Sequence, residues 1–444
     1  MRRILLSISL VWLAGCGGGG GGSSTPTPTY TIGGTVSGLT SGTLILKNNN
    51  GDDLTISANS TSFTFATALA SGAAYAVTAG TQPSRLACNV TNNTGTIAST
   101  NVTGVTITCI TPVYVTNLES NTVSMYAVNA TTGILTALAT PTVATGTGPT
   151  SIVVNPAGTF AYVTNETSNT VSMYAINSST GILTALATPT VATGTSPSSI
   201  NVNPAGTFVY VTDKRSNTVS MYAINATTGI LTPLTTPTVA TGRTRPFWIA
   251  VHPAGTFAYV AYDNDVNVSI YSINATTGIL TALTTPTVVT GNRHLTIAVH
   301  PAGTFAYVPN ETSNTVSMYA INSTTGILTA LATPTVATGS SPVKIAVHPA
   351  GTFAYVTNEL SNTVSMYAIN STTGILTALT TPTVATGSSP FEITINPAGT
   401  FAYLVNYSGN TVSMYAINAT TGILTALTTP FVATGTGPSA IAFK

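Results

Sequence analysis

Arginine, histidine and aspartate crowd into one sector of a chain that otherwise carries almost no charge. Asp213 and Arg215 stand together, Arg243 and Arg245 come just before Phe247 and Trp248, Asp263 and Asp265 follow, and Arg293 and His294 close the run. Guanidinium forks suit carboxylate or phosphate geometry. A histidine titrates near neutral pH and can serve as a general base, with Asp263 or Asp265 orienting it. Such a set would hold a small anion and assist hydrolysis. Lys344 and Glu392, of opposite charge, occupy matching places in neighbouring segments, which puts both near a shared central opening. The competing expectation is plain solvated loop charge, because exposed pairs contribute little. Asp263-x-Asp265-x-Asn267 has the spacing of a calcium loop but lacks the glycine and the bidentate glutamate. No cofactor or metal is therefore expected, with calcium the one ion the spacing leaves open.

These residues interrupt a repeat. The tyrosine of Ser-Met-Tyr, or of Ser-Ile-Tyr in one unit, recurs at positions 126, 174, 222, 271, 319, 367 and 415, in steps of 48 except for a single 49. A fixed period of this length means a solenoid, a propeller or an array. Each unit reads as four short strands, taken in the second unit as 151–155, 160–164, 170–176 and 182–191. Val, Ile, Thr, Tyr and Phe fill the runs, and Gly, Pro, Asn and Ser separate them. The Asn-Pro-Ala-Gly turn has a mechanism: proline presets φ and glycine accepts positive φ. No stretch carries a capped 3.6-residue apolar stripe. Four antiparallel strands per unit make the blade of a propeller.

The ends of the array complement one another. The first unit begins directly at its second strand, Val113-Tyr114-Val115, and the chain finishes with Pro438-Ser439-Ala440-Ile441-Ala442-Phe443, a first strand without its turn. The last strand is expected to complete the first blade, leaving no open edge at the seam. Tyr-Val-Thr-Asn followed by Asn-Thr-Val-Ser resembles the YVTN propeller repeat, and residues 112–444 resemble the seven-bladed lactonase-like propellers of bacteria. That resemblance implies a seven-bladed ring. It also implies kinship with phosphogluconolactonase-type enzymes, with surface-layer proteins and with members of no known activity. It assigns no catalytic residue.

Residues 1–15 read as an export signal: two arginines, an apolar run and Leu13-Ala14-Gly15 before Cys16. The ending is similar to a bacterial lipobox, which makes Cys16 the expected lipidation site and residues 16–29 a Gly/Ser/Pro tether. Gly17 after the cysteine favours the outer membrane, so the expectation is a lipid-anchored protein of the bacterial cell envelope, periplasmic or surface-exposed. Residues 30–111 alternate like half-buried strands and suggest a small immunoglobulin-like β-sandwich. Cys88 and Cys109 then form an even pair in an oxidising compartment, and a disulfide is expected.

Charged residues make up only 5% of the chain and the net charge is +1. No basic field is available for nucleic acid. The array holds seven Lys/Arg and eight Asp/Glu, and all but Lys444 fall where loops of one face must lie. His252, His300 and His348 precede Pro-Ala-Gly in the places where Asn155, Asn203 and Asn396 stand, so they read as turn residues. Asn-x-Thr/Ser triplets read likewise as turn chemistry. No nucleophile elbow, Walker loop, zinc-protease helix or dinucleotide glycine pattern occurs. The architecture expected is all-β: a sandwich followed by a monomeric seven-bladed propeller. The near-identical blades favour a binding scaffold for a protein or glycan of the envelope. The alternative is a lactonase-like hydrolase using the charged sector.

Overall fold

A computed structural model describes residues 27–444 apart from Asn264 and residues 291–294. Cys16, the export signal, most of the tether, Arg293 and His294 thus lie outside the described residues. The described chain is all-β. In the second blade the strands are Pro149–Val154, Phe160–Asn165, Thr170–Ile176 and Leu183–Ala192, hydrogen-bonded in that order and antiparallel throughout. They will be called A to D, from the channel outwards, in every blade. The observed bounds differ from the expected ones by one or two residues, where proline and asparagine at the strand ends still pair. In the fifth blade strand A is cut to Ala298–Val299.

The first blade is composite. Pro438–Phe443 pairs with the far half of Val102–Asn117, matching Val113 to Phe443 and Val115 to Ile441. Thr122–Val128 and Leu135–Ala144 complete it. Every blade is then bolted to the next by a buried phenol. Tyr114 donates to the Gly181 carbonyl oxygen at 2.7 Å, Tyr162 to Gly229 at 2.8 Å, and so around the ring until Tyr403 donates to Gly133 at 2.6 Å. Burial pushes the Tyr162 and Tyr210 hydroxyls above their ordinary range. The Ser-x-Tyr tyrosines bond backwards: Tyr174 reaches the Ala144 carbonyl oxygen of the preceding blade at 2.6 Å.

Strands B and C bury nearly every side chain, and apolar clusters fill the gaps between blades. The seam cluster joins Val113 and Tyr126 to Tyr403, Met414 and Ile441. Burial of this kind contributes roughly 25 cal/mol per Å² of apolar surface. Strand D is mostly exposed. Its Thr-Pro-Thr segment and a register break opposite Ser172 and Tyr174 keep that outer edge from pairing with other chains. Turns behave as their residues require. Asn155 accepts from the Thr159 and Phe160 amides, both at 2.9 Å. His252 accepts from the Ala254 amide through Nδ1, which leaves Nε2 to donate to the Gly303 carbonyl at 2.9 Å. Asn129 accepts from the Thr131 and Thr132 amides.

Ahead of the ring, two sheets close around one core in which Ile32, Val36 and Ile107 meet Leu44, Leu46 and Val77. Val102–Asn117 runs beside Ile32–Ser37 in parallel and beside Ala87–Thr91 antiparallel. Cys88 and Cys109 sit directly opposite in that second pairing and form the expected disulfide. A closed loop of this length contributes about 3 kcal/mol in the chain-entropy model. The expected junction at 111–112 falls inside a strand: Val102–Asn117 passes without interruption from the small sheets into the first blade. Alternation continues across Pro112, which needs no amide to pair with Ala127. Two further contacts fix the small sheets against the ring. A Cβ added at Gly158 would stand 1.8 Å from the Ser84 carbonyl oxygen, so only glycine permits that approach. The Lys444 ammonium donates to the Leu86 carbonyl oxygen, and burial pulls its pKa down to about 8.

Candidate active site

Antiparallel order puts the B–C and D–A connections of every blade at one end of the channel, and nearly all the charge is there. The first residue after strand B forms a ring of seven around this mouth: Leu118, Glu166, Lys214, Asp263, Glu311, Glu359 and Tyr407. Beneath it lies the start of strand A. A register break after the leading proline frees the next residue from the ladder, as Thr150 shows in the second blade. Such a bulge re-aims side chains, and here it turns the strand-A starts toward the mouth.

A cavity of about 260 Å³ occupies the mouth. Phe247, Trp248, Phe391 and Leu118 supply its apolar wall, and Glu166, Glu359, Glu392 and Tyr407 its polar one. Lys344 lies behind Glu392, its Nζ 3.1 Å from Oε1, with side-chain exposures of 11% and 13%. The ammonium also lies over the Trp248 ring and makes no hydrogen bond of good geometry. Burial lowers the Lys344 pKa and raises that of Glu392, while their mutual attraction opposes both changes. A carboxyl held above its ordinary range by burial suits a group that must take up and return a proton.

The arginine loop is arranged differently. Arg243 Nη1 donates to both Asp265 oxygens, at 2.9 and 3.2 Å. Arg245 donates to Asp263 Oδ2 through Nε at 3.1 Å and through Nη2. Asp265 in turn accepts from the Asn267 amide and side chain. These pairs tie the inserted D–A loop to the following B–C loop, and neither arginine lines the cavity. Arg245 sits at φ 60°, in the turn position that Ser196, Ser341 and Ser389 occupy elsewhere. With each aspartate held by an arginine, no group of three metal-ligating side chains is found among the described residues. Arg215 is exposed.

Asp213 lies at the end of strand B rather than in a loop, fully buried, where other blades have Asn165 or Asn358. It accepts from Ser220 Oγ at 2.7 Å and Thr218 Oγ1 at 2.9 Å. Burial raises its pKa to about 6 against those hydrogen bonds. A raised carboxyl pKa means that stability is lost as pH climbs from about 4 to about 6. Asp213→Asn is expected to stabilise the protein at pH 7 by on the order of 2 kcal/mol and to gain nothing at pH 3. Denaturant titration at the two pH values checks this; equal gains at both would remove the buried charge as the cause.

The opposite end of the channel holds a larger cavity, about 770 Å³, between the small sheets and the first, second and seventh blades. Its lining includes Ile152, Ile395, Phe443 and Asn396, with Arg85 its one ionisable group among the described residues. Size alone does not make it a reaction site. The mouth holds the convergent ionisable groups.

Trp248, Lys344 and Glu392 were singled out from sequence and meet in this mouth. Glu166, Glu359 and Tyr407 were not, although setting the seven units side by side at the residue after strand B would have shown where they depart from one another; Phe391 would have shown itself the same way at the residue after the leading proline of strand A.

The family model described as "Lactonase, 7-bladed beta-propeller" matches residues 107–291 and 285–443. No curated protein matches the chain. Among solved structures, a candidate 6-phosphogluconolactonase from Bacteroides fragilis superposes with a TM-score of 0.67 at 21% identity, covering 76% of this chain and 98% of that one. The periplasmic gluconolactonase of Pseudomonas aeruginosa gives 0.64 at 18%, covering 75% and 99%. At such identities these structures share the fold. The family match spans most of the chain, and the protein therefore belongs to the lactonase seven-bladed β-propeller family.

Proposed function

We propose that this protein is a lactone hydrolase of the cell envelope, acting in the channel mouth with Glu392 as general base and Lys344 positioning it. One observation carries the reading: a buried carboxylate–ammonium pair, Glu392 and Lys344, opens through Glu392 onto a small cavity walled by Trp248 and Phe391. The volume suits a single ring and lies near the lower limit of ligand pockets. Glu392 takes a proton from water as the water oxygen bonds to the lactone carbonyl carbon. Collapse of the tetrahedral intermediate breaks the ring C–O bond, and the departing oxygen takes the proton back from Glu392. The new carboxylic acid then releases its own proton to solvent. Lys344 stays behind the carboxylate and favours its ionised form between turnovers.

Kinship with lactonase-like propellers supports this reading over the scaffold that the near-identical blades suggested, and Trp248, Phe391 and Glu392, which depart from the repeat, line one pocket. The arginine loop shapes the rim in this account and takes no part in the chemistry. Anchoring through Cys16 at the outer membrane is part of the proposal and rests on the signal residues. A pH-stat assay of the purified protein on five- and six-membered lactones, with spontaneous opening subtracted, tests it. Protein-dependent base uptake is the expected result. Uptake no faster than the blank on every lactone would return the scaffold reading to the front.

A further inference from the structure

The closed end of the channel, away from the mouth, encloses a second space of ligand size. Its volume of about 770 Å³ falls within the range of small-molecule pockets. Part of its wall departs from the repeat. The last residue of strand A is valine in the second to sixth blades, but Ile395 in the seventh and Phe443 in the first. Both line the cavity, beside Ile152. Phe443 packs edge-on against Tyr403, with ring centroids 5.6 Å apart, which fixes that side of the wall. The small sheets supply the cover through Ser41, Arg85 and Leu86. That cover is held down by the Lys444 bond to the Leu86 carbonyl and by the close approach of Ser84 to Gly158. A space fixed on both sides needs little ordering when a ligand enters.

The polar groups here are few and mostly engaged. Asn396 accepts from the Thr400 and Phe401 amides and donates to Thr400 Oγ1. The Lys444 ammonium is turned to Leu86. No aspartate or glutamate lines the cavity among the described residues. Arg85 stands exposed at the cover, and no other described residue engages its guanidinium. Such a fork offers two parallel donors to a carboxylate. The wall beneath it gains from contact with an apolar body, at about 0.8 kcal/mol for each buried CH₂.

We infer that this cavity is a binding site for an anionic amphiphile, a carboxylate carried on an apolar chain or ring. Arg85 holds the carboxylate, and Ile152, Ile395 and Phe443 receive the apolar body. The site is separate from the channel mouth and stands whether or not the mouth hydrolyses lactones.

The full chain is titrated calorimetrically with sodium decanoate and with decyltrimethylammonium, both below their micelle-forming concentrations. Decanoate is expected to fill one saturable site per chain, with a negative heat-capacity change that marks apolar burial. Its Kd should be about tenfold or more below that of the cationic amphiphile. Arg85→Gln should weaken decanoate by about tenfold, the loss expected when a hydrogen bond to a charged group is removed. The same variant should leave the cationic amphiphile no weaker. Arg85 lies on an exposed turn, so the variant should fold, and an unchanged melting temperature checks this. Crystals soaked with decanoate carrying bromine on its terminal carbon locate the site without any substitution. The anomalous signal should lie beside Ile395 and Phe443. Absence of a saturable site, equal binding of the two amphiphiles, or a decanoate Kd unmoved by Arg85→Gln overturns the inference. So does bromine placed in the channel mouth or on the outer strands instead.

Discussion

Glu392→Gln should lower kcat/KM for lactone opening by about 10²- to 10⁴-fold, the range that a positioned general base supplies. The amide keeps the volume of the side chain but can neither take the proton from water nor return it to the ring oxygen. A fall of this size has a rival cause, loss of folded protein, because the substitution leaves Lys344 opposite a neutral group. The pH dependence separates the two. In the wild type the rate should decline toward acid as Glu392 takes up a proton, with a midpoint above the ordinary glutamate value because burial raises it. The residual rate of the variant should lack that limb, and its melting temperature at the assay pH should still exceed the assay temperature. A folded variant that keeps both the rate and the acid limb would place the base elsewhere.

Lys344→Met is expected to destabilise the protein by roughly 3–5 kcal/mol, the usual cost of leaving one partner of a buried pair uncompensated. Both side chains are almost fully enclosed, so solvent cannot take over from the missing ammonium. The sign with pH follows from Glu392. Without Lys344 its carboxyl is held still further above the unfolded value, so the folded state retains the proton where the unfolded state releases it. The loss should be small near pH 4, where both states are protonated, and should grow as pH rises. Lys344→Met/Glu392→Leu should recover most of the stability, since apolar replacement of both partners is close to neutral or favourable. Denaturant titrations of the wild type, single and double variants at pH 4 and pH 8 give all the quantities needed. A double variant as unstable as the single one would mean that packing beneath Trp248 causes the loss.

The ring itself was legible because its causes are local and repeated. Alternation within strands, Asn/His-Pro-Ala-Gly turns and the missing first strand of unit one together specify four-stranded blades and the closure onto Pro438–Phe443. The disulfide was legible once Cys16 was set aside as the lipidation site, which leaves Cys88 and Cys109 as an even pair in an oxidising compartment. The unbroken passage of Val102–Asn117 was hidden because the propeller resemblance begins at residue 112, while a proline within a strand costs only an amide that need not pair there. The charged sector was legible as a face but not as a set of pairs. Sequence shows that Arg243 and Asp265 are both present. It does not show that an inserted loop and the next B–C loop bend until they meet, and that pairing removes both from the ligand's reach. Asp213 misleads for the opposite reason: beside Lys214 and Arg215 it reads as surface, while the strand register carries it inside. Lys344 and Glu392 were found because each breaks an apolar or small position at the start of strand A. Their ring neighbours Glu166 and Glu359 look like ordinary loop residues until the sevenfold geometry gathers them.

The claim that the reaction belongs to the channel mouth is tested most directly by a crystal structure of the protein soaked with the neutral gluconolactam. The account predicts the lactam ring between Trp248 and Phe391, with one water within about 3 Å of both Glu392 and the path to the carbonyl carbon. A lactam seated in the larger cavity beside Phe443 and Arg85, or on the Arg243–Asp265 loop, would contradict it.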